Sequence, residues 1–224
     1  MITYFNLHRT ESEALLGEDE NCKNREDRSC PITSEHLDGS RRKGPLSVRL
    51  KHNSRAERMI WCWVEGQVIH ESVLDEFERQ GFTGYRTQPA TVRFLDGLVS
   101  SDYHELVVTG WAGLVSPESG VRVKERCPAC HWRQYTGIKN YERLIDWSQW
   151  TGEDFFIVWP LPKFILITER VAMSLLGFGV NSFELKALDD FDRPVGRRGF
   201  TVGRLSNFMP GDLAIKYGGP LGIE

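Results

Sequence analysis

The chain has no excess of charge of either sign. Its 28 Lys and Arg stand against 31 Asp and Glu, a net charge of −3, so no overall field draws in a phosphate backbone and general nucleic-acid binding is not expected. Long apolar runs are missing as well: none approaches the roughly 18–20 residues that a membrane-spanning helix needs. The opening MITYFNLHRTESEALLGEDE carries neither a basic leading segment nor a long apolar stretch, which predicts no secretory signal and a cytoplasmic protein. There is no disulfide framework, because the five cysteines are odd in number and irregular in spacing. The familiar catalytic signatures are also absent. No GxSxG nucleophile elbow, Walker A loop or HExxH occurs, and the glycines of VVTGWAGLVSPESG lack the GxGxxG order of a dinucleotide site. No catalytic constellation emerges, and that absence bears on function.

What is present is a core and a division of the chain. Hydrophobic residues make up 40 % and tryptophans number seven, enough for one large domain or two small halves. Residues 1–45 differ from the rest: after Ile2, Tyr4, Phe5 and Leu7 the segments GEDENCKNREDRSC and HLDGSRRKG are charged and almost free of large apolar residues. They read as a polar N-terminal arm, partly disordered. Residues 46–224 read as a single α+β domain with candidate halves 46–126 and 127–224. PLSVRLKH alternates as a strand does, RMIWCWVEGQVIH is apolar and β-prone, and DFFIVW is a fully buried strand stopped by Pro160 and Pro162.

A pseudo-repeat runs through the domain. VIHESVLDEFERQGFTGYR lines up with LITERVAMSLLGFGVNSFE at an offset of 98 residues, matching Ile69/Ile167, Glu71/Glu169, Val73/Val171, Gly81/Gly179 and Tyr85/Phe183. Each copy predicts a strand, a helix with one apolar face and a second strand. Gly81 and Gly179 end the helices, and Thr168 is a better N-cap than His70. The fold class is α+β: a mostly antiparallel sheet with two principal helices in repeated strand–helix–strand units.

The chemistry centres on ERCPACHWRQY. Cys127 and Cys130 form a CxxC, which supplies two of the four tetrahedral ligands of Zn²⁺. No second CxxC exists. The remaining candidates are Cys22 and Cys30 in the polar arm, with seven residues between them and able to fold back over the pair, while Cys62 in WCW reads as a core residue. His131 adjoins Cys130, with its side chain expected to point away from the site. A knuckle-like turn without metal and a thioredoxin-type redox pair are the other readings of the CxxC; the second lacks the helix that lowers a reactive thiol's pKa. The loop IDWSQWTGEDFF is acidic and aromatic together. Trp147, Trp150, Glu153 and Asp154 are candidate partner-binding residues, since aromatics dominate interface hot spots; the same tryptophans could equally be tucked into the core. A hydrolase using Asp146 or Glu153 with His104 is the enzymatic alternative, and it requires those side chains to meet within about 3 Å.

VIHESVLDEFERQGFTGY, ELVVTGWAG, SGVRVKERCPAC, WTGEDFFIVWPLP and ILITERVA, in that order, resemble the double-CXXCG motif proteins of myxobacteria and related soil bacteria, some of which are immunity proteins of polymorphic toxin systems. The resemblance covers roughly residues 60–190. It implies a non-enzymatic protein that binds and neutralises a cognate bacterial toxin, the alternative being a zinc-binding regulator or adaptor. Two departures stand out: Cys127-Pro-Ala-Cys130 is followed by His131 instead of glycine, and the first motif is reduced to Cys22 and Cys30. The implied metal ligands are therefore confined to Cys127 and Cys130.

Overall fold

A computed structural model describes residues 4–9, 14–16, 25–26, 30–36, 41–51, 58–62, 66–180, 183–187 and 199–224. Two sheets hold most of the described strand residues. The first is a barrel closed by six strands in the order β2 (Ala14–Leu16), β5 (Leu46–Leu50), β8 (Tyr85–Arg93), β9 (Val99–Val108), β7 (Gly66–His70) and β6 (Met59–Cys62), sealed where Ala14 meets Cys62. Alternation along β5 sends Leu46, Val48 and Leu50 inward, where they meet Ile60, Val68, Val92 and Tyr103. The second sheet has the order β10 (Gly110–Leu114), β13 (Phe155–Trp159), β14 (Ile165–Thr168), β1 (Tyr4–Arg9) and β15 (Phe183–Ala187). Pairing is mostly antiparallel, with β10–β13 and β5–β8 the longer parallel exceptions, so the expected α+β class is the one observed.

The two principal helices are α1 (Glu71–Gln80) and α2 (Glu169–Gly177). Helix α1 buries Val73 and Phe77, whose ring lies 5.2 Å from that of Phe155 on β13. Helix α2 buries Val171, Ala172 and Leu175. Both end as the glycines predict. Gly81 and Gly179 take left-handed φ of 64° and 74°, and Phe82 and Val180 return their N–H groups to Phe77 and Leu175. The N-caps reverse the expectation. His70 Nδ1 accepts from Ser72 N at 3.1 Å, whereas Thr168 makes no cap bond because its hydroxyl is directed to Asp154 Oδ1 at 2.9 Å.

Much of residues 1–45, the polar N-terminal arm, lies outside the described residues. Its described strands are integral to the domain: β1 lies inside the second sheet between β14 and β15, β2 belongs to the barrel, and β3 (Arg25–Glu26) pairs with β4 (Arg41–Arg42). Charge dominates the composition of this segment, yet a strand's backbone pairs whatever its side chains carry. Arg42 and Glu105 make a well-shielded ion pair at 2.5 Å that fastens the end of the segment to β9. A third, three-stranded sheet of β11 (Val123–Arg126), β12 (Arg133–Tyr135) and β16 (Phe200–Val202) presents the CxxC.

Candidate metal centre

The CxxC occupies the turn of a β-hairpin. β11 and β12 are antiparallel with Arg126 opposite Arg133, and residues 127–132 connect them. Cys127 N donates to Trp132 O at 2.8 Å, and His131 N donates to Cys127 O at 3.2 Å. The reversal demands a left-handed residue after Cys130, and His131 supplies it at φ 62°, alone among the described non-glycine residues. This is the position at which the CXXCG motif carries glycine. Arg204 Nε reaches Cys130 O at 3.4 Å, and Arg133 donates to Gly222 O, so the knuckle is also tied to the C-terminal segment.

The missing half-site comes from residues 30–36. Cys30, His36, Cys127 and Cys130 bring one ligand atom each to within 4.8 Å of one another. Cys30 Sγ lies 3.8 Å from Cys127 Sγ; His36 Nδ1 lies 3.6 Å from Cys30 Sγ and 3.7 Å from Cys130 Sγ. A tetrahedral Zn²⁺ with bonds of about 2.3 Å to sulfur and about 2.05 Å to nitrogen sets sulfurs about 3.8 Å apart and sulfur about 3.6 Å from nitrogen. These three separations match the edges of such a tetrahedron, and all four donors lie close enough together to hold one metal ion. All three cysteines are buried, and the Trp132 ring stacks on His36 at 4.3 Å and 10°, closing the site from one side.

The electrostatics fit a dication. Burial opposes ionisation of Cys30, but the N–H groups of Thr33 and Ile32 and the His36 ring outweigh it and hold the thiol down at about 6. Ile32 N donates to Cys30 Sγ at 3.4 Å, an outer contact of the kind that orients a ligating thiolate. The Cys130 N–H lowers Cys127 against the opposing effect of burial. Burial, then the neighbouring thiols, push Cys130 up to about 11. Three thiolates could share this volume only with a compensating positive charge between them, which a bound metal ion would supply.

Of the sequence candidates, Cys127, Cys130 and Cys30 converge, and Cys22 lies outside the described residues. His36 was missed because it pairs with no other histidine. Its signal was the spacing in CPITSEH, a Cys-Pro step like that of CPAC with histidine six residues on. His131 stays outside the set and lies 3.4 Å from Arg126.

The acidic, aromatic loop divides. Trp147 is 42 % exposed, while Trp150 is half-buried with its ring 5.6 Å from Phe156. Glu153 accepts from Thr151 Oγ1. Asp154 is buried and accepts from Thr83 N, Thr83 Oγ1, Thr168 Oγ1 and both Nε and Nη2 of Arg170, at 2.6–3.2 Å. The residues of the enzymatic alternative lie on separate elements. Asp146 accepts from Ser148 and Gln149 as the cap of a short turn, and His104 sits on β9 opposite Ile69 and Pro89. Among the described residues, the group in which three or more such side chains converge is the Cys₃His set.

Comparison with known proteins adds no relative: no protein-family model matches the chain, and no curated protein matches it significantly. The resemblance to double-CXXCG proteins rests on the motifs alone. No helix among the described residues is long and apolar enough to cross a membrane.

Proposed function

We propose that this chain is a structural zinc protein that acts by binding, and that its partner is a cognate bacterial toxin. The observation that carries the zinc reading is the convergence of Cys30, His36, Cys127 and Cys130 at tetrahedral edge lengths. Four protein ligands fill the coordination sphere. A catalytic zinc keeps one position for water or substrate, so this centre staples residues 30–36 to the β11–β12 hairpin and leaves no place for chemistry at the metal. Purified protein is expected to contain about one zinc per chain by elemental analysis, and Co²⁺ in its place is expected to show the visible absorption of a tetrahedral thiolate site. Metal-free protein with an unchanged melting curve refutes the staple.

The toxin reading draws on the motif resemblance and on the exposure of Trp147 beside Glu153 in one loop. A rigid aromatic anchor with a charged neighbour is what a protein–protein hot spot uses. The test is survival of cells that co-express the chain with a toxin encoded in the neighbouring reading frame. Wild-type protein is expected to protect, and Trp147→Ala to protect less at equal protein level. Full protection by Trp147→Ala, Trp150→Ala and Glu153→Ala together removes this loop as the contact surface.

A further inference from the structure

The sequence repeat has a counterpart in three dimensions that the sequence alone conceals. In the first copy the sheet order is β6-β7-β9-β8, and in the second it is β13-β14-β1-β15. Both copies are a hairpin, a helix and a strand, with one more antiparallel strand inserted between the second and third. In the first copy the inserted strand, β9, follows β8 directly. In the second it is β1, from the other end of the chain.

The correspondence holds at the level of individual backbone pairs. His70 faces Tyr103, Ile69 faces His104, Val68 faces Glu105 and Gln67 faces Leu106. Their counterparts at an offset of 98, Thr168, Ile167, Leu166 and Ile165, face Tyr4, Phe5, Asn6 and Leu7. On the other side Tyr85, Arg86, Thr87, Gln88 and Pro89 face Val108, Val107, Leu106, Glu105 and His104. Phe183, Glu184, Leu185, Lys186 and Ala187 face Arg9, His8, Leu7, Asn6 and Phe5. Every pair of β1, four with β14 and five with β15, thus maps onto a pair of β9 by one constant shift. Tyr4 and Leu7 stand where Tyr103 and Leu106 stand, and Leu7 and Leu106 are both buried. The helices obey the same rule, α1 lying on β7 and β9, and α2 on β14 and β1. Ser174 Oγ meets Glu76 Oε1 at 3.4 Å. These two residues are each other's counterparts, and a contact between counterparts is the mark of a two-fold relation.

We infer that the gap between β14 and β15 is a strand-acceptor site, filled here by the chain's own N-terminal strand and open to the same strand from a second copy. Three observations make β1 the detachable element. It reaches the rest of the chain through residues 10–13, after which β2 belongs to the other sheet. The next segment is held independently by Cys30 and His36 in the metal site. And the second unit lacks a hairpin-linked strand of its own in this place, so any antiparallel strand with a leucine at the position of Leu7 satisfies the same backbone groups. A strand from a second copy makes identical bonds, which is the basis of domain swapping.

The test uses the full chain with a protease site inserted between Arg9 and Ala14, cleaved after folding and zinc loading. The nicked protein is expected to retain its N-terminal peptide through gel filtration. It is then expected to exchange it for a labelled peptide of residues 1–9, and to take the Leu7→Asp peptide at least tenfold less well. Loss of the peptide without any drop in melting temperature overturns the proposal, as does retention with no exchange up to the melting transition. Should the insertion prevent folding, a second chain carries residues 4–9 after Ala187 through an Asn-Gly turn and a glycine–serine linker back to residue 188, the order of the first copy. A cooperative melt with one zinc per chain supports the equivalence of β1 and β9; an unfolded product refutes it.

Discussion

At the residue scale, three positions show how local geometry constrains this chain. His131 takes a left-handed φ that costs a side-chain-bearing residue roughly 1 kcal/mol. His131→Gly is expected to raise stability by about 0.5–1 kcal/mol, or about 1–4 °C in Tm for a chain of this size, with zinc content unchanged; a lower Tm by calorimetry contradicts the strain. Gly84 has the opposite sensitivity. Its φ is 85°, and a Cβ there would lie 2.0 Å from Phe155 O. A carbonyl fixed in a sheet cannot yield, so Gly84→Ala is expected to cost more than about 3 kcal/mol in denaturant unfolding. Asp154 is the third. Burial raises its pKa, but Arg170, Thr83 and Thr168 overcome that and hold it below the usual carboxylate value. A lowered folded pKa adds stability that is complete above the unfolded value of about 3.9 and is lost as pH falls from there through the folded value. Asp154→Ala is expected to cost about 2–4 kcal/mol at neutral pH and to flatten the acid limb of a stability–pH profile. An unaltered limb places the acid sensitivity elsewhere.

At the element scale the β11–β12 hairpin and residues 30–36 meet at the Cys₃His set and at the Trp132–His36 ring stack, and on the zinc reading the metal is the main tie between them. Cys30→Ser and His36→Ala are each expected to lower zinc affinity more than tenfold, whereas His131→Ala is expected to leave it within a factor of two. Competition with a chromophoric chelator measures both, and equal losses for His36 and His131 contradict the ligand set. How far the elements were legible follows from the signals they use. The helices, their glycine ends and DFFIVW announced themselves through periodicity and turn chemistry, which are local. The CxxC was readable for the same reason. His36 had only Cys30, six residues before it, as a local signal; the pair that completes the set is remote, Cys130 being 94 positions from His36 and Cys127 97 from Cys30, and spacing rules see only short separations. Asp154 looked like a surface acid because nothing in its own neighbourhood shows that Thr83 and Arg170 close over it. β1 was hidden by the charged composition that follows it.

At the scale of the whole molecule the order of the chain matters. β1 is near the first residue, and its two neighbours, β14 and β15, begin at Ile165 and Phe183. At a synthesis rate of about 5–20 residues per second, the opening strand leaves the ribosome on the order of 10–30 s before the strands that receive it. Throughout that interval β14 and β15 are not there to pair it, and Cys30 and His36 await Cys127 and Cys130. The first copy, whose strands follow one another closely, has no such wait. The pairing of β1 is therefore the step that waits longest, and an unpaired β1 is what a nascent-chain chaperone would meet.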